Sequence, residues 1–251
     1  MCIRDRQWVV PARGDQQVFY PFINVDHHRP LGNAPQLQKF WYERFTDIRK
    51  SEAERLYQQA LILEDASDAY RLLHRVLHEN HRHLQARRIL GYSDSTILQL
   101  RPTAVRTKKT YPLTGWSAGD YHTVKTAHFE ITTNATAIQG VKLARELETM
   151  YSVWQQAFVE FWCNTSALKK RLAGETAQLY NNRVHRVVLF AEEDEYQQFF
   201  QQRRIGNRNS SGYYYAPTKT SFLHLGKTVS NPWLHEVAPV SYTHLTLPTK
   251  A

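Results

Sequence analysis

The residues best suited to do chemistry lie in Asn231-Pro232-Trp233-Leu234-His235-Glu236-Val237-Ala238. Asn231 stands where a helix N-cap is wanted, and Pro232 at the first helical position, where a missing N–H costs little. On such a helix, two His four residues apart share a face and can hold Zn²⁺ through imidazole nitrogens. A Glu directly after the first His then lies beside the metal-bound water and takes its proton. His235 is thus a candidate metal ligand and Glu236 a candidate general base, but position 239, where the second His would fall, is Pro239.

A His-Glu pair by itself carries no weight, and His78-Glu79 is the control within the same chain. The next His there is His81, one residue too early, and Arg82 stands where the motif needs a ligand. His74 and His78 share a helical face, which reads as a solvated face of a repeat helix. His27-His28 beside Asp26 reads as a surface loop, because adjacent residues point to different sides of an element. The case for His235 rests on its context: a preceding strand, a capped helix start and the apolar Trp233-Leu234.

The elements that must position this helix follow from periodicity. After a linker at residues 93–125, marked by Pro102, Pro112 and Gly115, residues 127–133 alternate as a half-buried strand. A long amphipathic helix over residues 137–162 carries Val141, Ala144, Leu147, Tyr151, Trp154, Phe158 and Phe161 at three- and four-residue steps, which predicts a core-facing stripe. Residues 184–190 predict a second strand, residues 192–203 a helix with acids in its first turn, and residues 212–215 and 220–225 two more strands. Strands and helices in this order predict an α+β domain over residues 126–238.

Residues 35–92 predict an all-α region of short helical hairpins. Phe40, Trp41, Phe45 and Ile48 form one stripe and Leu56, Ala60 and Leu63 the next, Asp65 or Ser67 caps a third helix, and Gly91 closes a fourth. Alanines at packing positions are similar to tetratricopeptide-type pairs, without a clean 34-residue period. Such helices serve as a surface for a protein partner. Residues 7–34, rich in Pro and Gly, read as an irregular remnant.

Both ends read as foreign to the natural protein. Residues 1–6 match a translation of the transposon mosaic end used in sequencing libraries, and residues 239–251 match its opposite strand. The natural gene would contribute only the first base of codon 239, a C, which permits His there.

The net charge of +9 becomes +7 once Arg4, Arg6, Lys250 and Asp5 are set aside. Basic residues alternate with acidic neighbours, as in Glu43-Arg44 and Glu54-Arg55, which argues for a solvated surface and against nucleic acid. No apolar run approaches the ~18 residues of a membrane span. With Cys2 in the foreign end, Cys163 is left as a buried small hydrophobe, so neither a disulfide framework nor a Cys-based zinc site is expected.

Residues 126–238 resemble a family of predicted exported bacterial proteins of uncharacterised function that carry a gluzincin-like metallopeptidase domain. The resemblance is carried by Ala127-His128-Phe129-Glu130-Ile131-Thr132-Thr133-Asn134-Ala135, Leu143-Ala144-Arg145-Glu146-Leu147-Glu148, Gly212-Tyr213-Tyr214 and Leu234-His235-Glu236-Val237-Ala238. Ala86-Arg87-Arg88-Ile89-Leu90-Gly91-Tyr92 is similar to what precedes that domain. The resemblance implies a zincin-like fold, a zinc cofactor, a peptide or protein substrate and export to the periplasm, cell envelope or medium. The chain departs from the family at the second His and at any third ligand. A fragment of a zinc-dependent metallopeptidase, itself inactive, is therefore expected; the alternative is a non-catalytic envelope scaffold with a peptidase-like fold.

Overall fold

The computed structural model describes residues 35–92, 102–180, 184–203 and 212–225. The fold is mixed α+β, and the described residues divide into a helical unit, residues 35–92 and 152–180, and a sheet unit, residues 102–151, 184–203 and 212–225.

In the helical unit, α1 (Gln36–Ile62) is followed after three residues by α2 (Ala66–Glu79), and the two pack together. The Asp65 carboxylate caps α2 by accepting from the Ser67 and Asp68 amides, at 2.7 and 2.9 Å, satisfying two donors that would otherwise be orphaned. α3 (Leu84–Leu90) starts at the His83 ring, which accepts from the Ala86 amide, and ends at Gly91, whose φ of 80° is left-handed. Two later helices, α5 (Val159–Trp162) and α6 (Thr165–Leu172), pack against α2. Ala53, Leu56, Ala60, Tyr70, Leu73, Leu77, Leu90, Val159 and Leu168 form the shared core.

Two sequence expectations change here. The stripe Phe40, Trp41, Phe45 and Ile48 belongs to one continuous α1 and is exposed, Trp41 by 61%, because α1 turns only its second half, through Ala53, Leu56 and Ala60, into the core. The predicted helix over residues 137–162 breaks at Phe158: α4 (Ala137–Ala157) ends there, and the residues from 152 onward serve the helical unit rather than the sheet. Phe161, at the end of the predicted core stripe, is 77% exposed.

The sheet unit holds β1 (Ala104–Arg106), β2 (His122–Lys125), β3 (Phe129–Thr133), β4 (His185–Phe190), β5 (Gly212–Tyr215) and β6 (Thr220–His224). Among the described residues they form one sheet in the order β1-β2-β3-β4-β6-β5. β3, β4 and β6 run parallel, while β1, β2 and β5 pair antiparallel with their neighbours. Two of these strands lie in residues 93–125, so the stretch read as a linker is part of the sheet unit.

Alternation along the strands sorts the two faces. Val124, Ile131 and Thr133 meet α4, whose Gly140 approaches Thr133 and Val124 so closely that a Cβ would sit 3.0 and 3.3 Å from their methyl groups. On the other face, Val188, Phe190 and Phe222 pack with Trp116, Tyr121 and α7 (Glu193–Arg203), through Tyr196, Phe199 and Phe200. β4, covered on both sides, reads as the continuous apolar run Val187-Val188-Leu189-Phe190, all buried, as central parallel strands do.

Candidate functional site

Because β3, β4 and β6 are parallel, their carboxyl ends share one edge of the sheet, the place where ligands bind in open sheets of this kind. Asn134 directly follows β3, and its side-chain oxygen accepts from the Ala191 amide, just past β4, at 2.8 Å. Its amide nitrogen donates to the Glu195 carboxylate in the first turn of α7. The second Glu195 oxygen accepts from the Trp116 indole N–H at 2.6 Å. One carboxylate and one amide thereby join two strand ends, a helix start and the loop before β2. At the end of β6, His224 is buried, with its ring 4.8 Å from that of Tyr196.

The chain leaves β6 at this same edge, and Asn231 follows Leu225 by six residues. His235 and Glu236 lie outside the described residues, as do Asn231, Pro232, Pro239, the His27-His28 pair and both ends of the chain. Zinc therefore has to be judged on donor chemistry, and the chain as given does not fit it: His235 supplies one imidazole, and Pro239 has no donor where the second is needed. Among the described residues no group of three His, Cys, Asp or Glu side chains is placed to hold a metal.

The amino end of the parallel strands carries a pair that motif reasoning missed. Glu148 on α4 accepts from both the ring Nδ1 and the backbone N–H of His128, at 2.7 and 2.8 Å, and the His128 ring stacks on Tyr151 at 3.9 Å. A carboxylate only accepts, so it fixes the Nδ1–H tautomer of His128. Burial pushes the Glu148 carboxyl up, but hydrogen bonds from His128 and Thr126 and the charge of His128 outweigh it, holding the group below its ordinary range. The pair clasps the start of β3 to α4. No sequence motif flags it; only the apposition of the strand start and the middle of α4, 20 residues apart, brings it together.

In the helical unit, His74 is fully buried, which corrects its reading as part of a solvated face. The control pair His78-Glu79 has a structural role: Arg49 bonds the Glu79 carboxylate at 3.0 Å and the His78 carbonyl. Cys163 is half-buried against the helical core, and burial pushes its thiol up to about 11, so the thiolate nucleophile is scarce. A recess of about 400 Å³ is lined by Arg88, Arg171 and Glu175. Its two guanidinium groups serve helix ends: Arg171 donates to the Arg88 carbonyl at 2.7 Å and Arg88 to that of Gly174 at 3.4 Å. Cations at helix C-termini are stabilised there by the dipole. No family model, curated protein or solved structure matches the chain.

Proposed function

We propose that the chain derives from a zinc-dependent metallopeptidase with a zincin-like domain, in which His235 would be one of the residues holding the metal and Glu236 would serve as general base, the metal supplying an activated water. The observation that carries this reading is positional. Three parallel strands end at one edge, and the segment with N-cap and helix-starting residue types and His235-Glu236 begins seven residues after the last of them, at Asn231. The proposed ligand and base therefore follow, in sequence, the sheet edge where such sheets take ligands. The antiparallel β5 is an edge strand among the described residues, and an extended peptide adds to such an edge through main-chain hydrogen bonds. That suits a peptide or protein substrate. With Pro239 in place of the second His, the chain itself does not hydrolyse peptides.

The test compares this chain with the uninterrupted product of the gene that encodes it. A His codon at position 239, zinc-dependent peptidase turnover in the longer product and its loss on Glu236→Gln support the reading. A non-ligand at position 239 in the gene overturns it.

One observation favours a second reading, that of a cell-envelope scaffold with tetratricopeptide-like helices. Leu37, Phe40, Trp41, Phe45 and Ile48 expose a large apolar face on the first half of α1, and such patches mark protein contacts. Inactivity of the uninterrupted product, combined with protein binding lost on Trp41→Ser, decides for the scaffold.

A further inference from the structure

His74 lies within α2 with no solvent exposure, and among the described residues neither of its ring nitrogens has a hydrogen-bond partner. Neutral imidazole carries one donor and one acceptor; imidazolium carries two donors and a charge. Buried polar groups are bonded in the great majority of cases, and a buried charge without a partner costs far more than an orphaned neutral group.

The groups that face His74 leave a proton there uncompensated. Within α2 its neighbour is the Tyr70 ring, 4.7 Å away, and beyond α3 the Tyr92 ring stands edge-on at 6.0 Å. Tyr70 is itself bonded through its hydroxyl to Tyr180 at 3.1 Å, with the Cys163 thiol nearby. α1 and α6 turn Ala53, Leu56, Ala60 and Leu168 toward this core, and α5 turns Trp162 onto Tyr70. Three charges that these helices carry are engaged with other groups. Arg49 of α1 pairs with Glu79, Glu160 of α5 with Arg71, and Arg171 of α6 bonds the Arg88 carbonyl. Arg87 of α3 is buried and has an interaction of its own.

We propose that His74 is an acid-sensitive switch in the helical unit: α2 packs only around the neutral imidazole, and protonation of His74 opens that packing. Burial alone holds the imidazole down to about 3 from an ordinary 6.5. A depressed folded value means that the open form takes the proton first. Closure is therefore fully favoured above the ordinary value and is progressively lost as pH falls from there toward the folded value. From pH 7.5 to 5.5 the opening equilibrium of α2 should rise about tenfold from this one group.

The experiment is amide hydrogen exchange on the full chain between pH 7.5 and 5.5, corrected for the intrinsic pH dependence of exchange, with peptides covering α2 compared against peptides covering β4. In the wild type the α2 opening constant should rise about tenfold while β4 stays nearly constant. His74→Phe, and His74→Leu if the larger ring is not accepted, should flatten the α2 response to less than about twofold and raise protection throughout, because two orphaned nitrogens are removed. A flat wild-type response, or a variant that keeps the tenfold rise, overturns the proposal. Should neither variant fold, NMR titration of the wild-type His74 ring decides: titration near 6.5 with α2 still packed overturns it, and a ring that stays neutral until α2 opens supports it.

Discussion

Glu148 holds His128 at two points, taking the ring Nδ1–H and the backbone N–H with its two carboxylate oxygens at 2.7 and 2.8 Å. The acceptor is charged and mostly shielded, with 18% of its side chain exposed, so both bonds belong to the stronger class. They fix where β3 begins relative to α4, and through the β3–β4 register they also set the start of β4, since His185 pairs with Phe129 and donates to the His128 carbonyl.

Glu148→Gln keeps the shape but loses the charge, and it should cost the sheet unit about 1–2 kcal/mol at pH 7. Because the Glu148 carboxyl is depressed from its ordinary 4.5, its contribution is complete above that value and is lost as pH falls through the folded value. The difference between wild type and Glu148→Gln should accordingly shrink below pH 4. Urea unfolding at pH 7 and pH 3.5 measures it; an equal difference at both pH values would show that the charge contributes nothing.

Asn134 joins the ends of β3 and β4 to α7, so Asn134→Ala leaves the Ala191 amide without its acceptor and the Glu195 carboxylate without one donor. A cost of about 2–3 kcal/mol follows from one orphaned backbone group and one lost bond to a charged group. Trp116, bonded to the same carboxylate, should report the change as a red shift in its emission. An unshifted spectrum with unchanged stability would mean that the link carries no load.

At Gly140 two effects oppose each other. Glycine in a helix interior costs about 1 kcal/mol relative to alanine, which favours Gly140→Ala. The new methyl, however, would meet Thr133 and Val124 at 3.0 and 3.3 Å, both fully buried β-branched side chains. Such groups have few alternative rotamers, and overpacking costs typically about 1–3 kcal/mol. The clash should win, leaving Gly140→Ala net destabilising by about 1 kcal/mol and Gly140→Val by clearly more. A thermal midpoint above that of the wild type for Gly140→Ala would show that α4 can move off the sheet at no cost.

The strands with clean alternation or a continuous apolar run were legible, and so were the caps at Asp65 and Gly91, because each depends on a few adjacent residues. β1 and β2 were not. They are three and four residues long and lack the aromatic run that marks the equally short β5, and the breakers Pro112 and Gly115 between them belong to a loop whose packing rests on Trp116 and Tyr121. The apolar stripe of α4 and α5 carried a different ambiguity. Its spacing stays helical throughout, yet Leu147 serves the sheet unit while Val159 serves the helical core. Periodicity gives the face of a helix, not the partner that covers it. His74 was misread for a related reason, since a polar residue one turn from His78 suggests a wet face, and only the surrounding elements show that it is enclosed.

This chain should show neither tight zinc binding at His235 nor peptidase turnover. A catalytic zinc site needs three protein ligands and an open position for water, and the motif supplies one. A helix begun at Pro232 would reach Pro239 in its second turn, where proline removes a backbone N–H and crowds the carbonyl four residues back, that of His235, at a cost of roughly 3 kcal/mol. On the proposed reading, Pro239→His would put two imidazoles four residues apart in the sequence, so it should raise zinc affinity measurably by competition with a chromogenic chelator. It should still fall short of turnover, because the third ligand is missing. Stoichiometric tight zinc in the unmodified chain that is lost on His235→Ala, or turnover abolished there by Glu236→Gln, would show that the metal site is built from other residues than the motif implies.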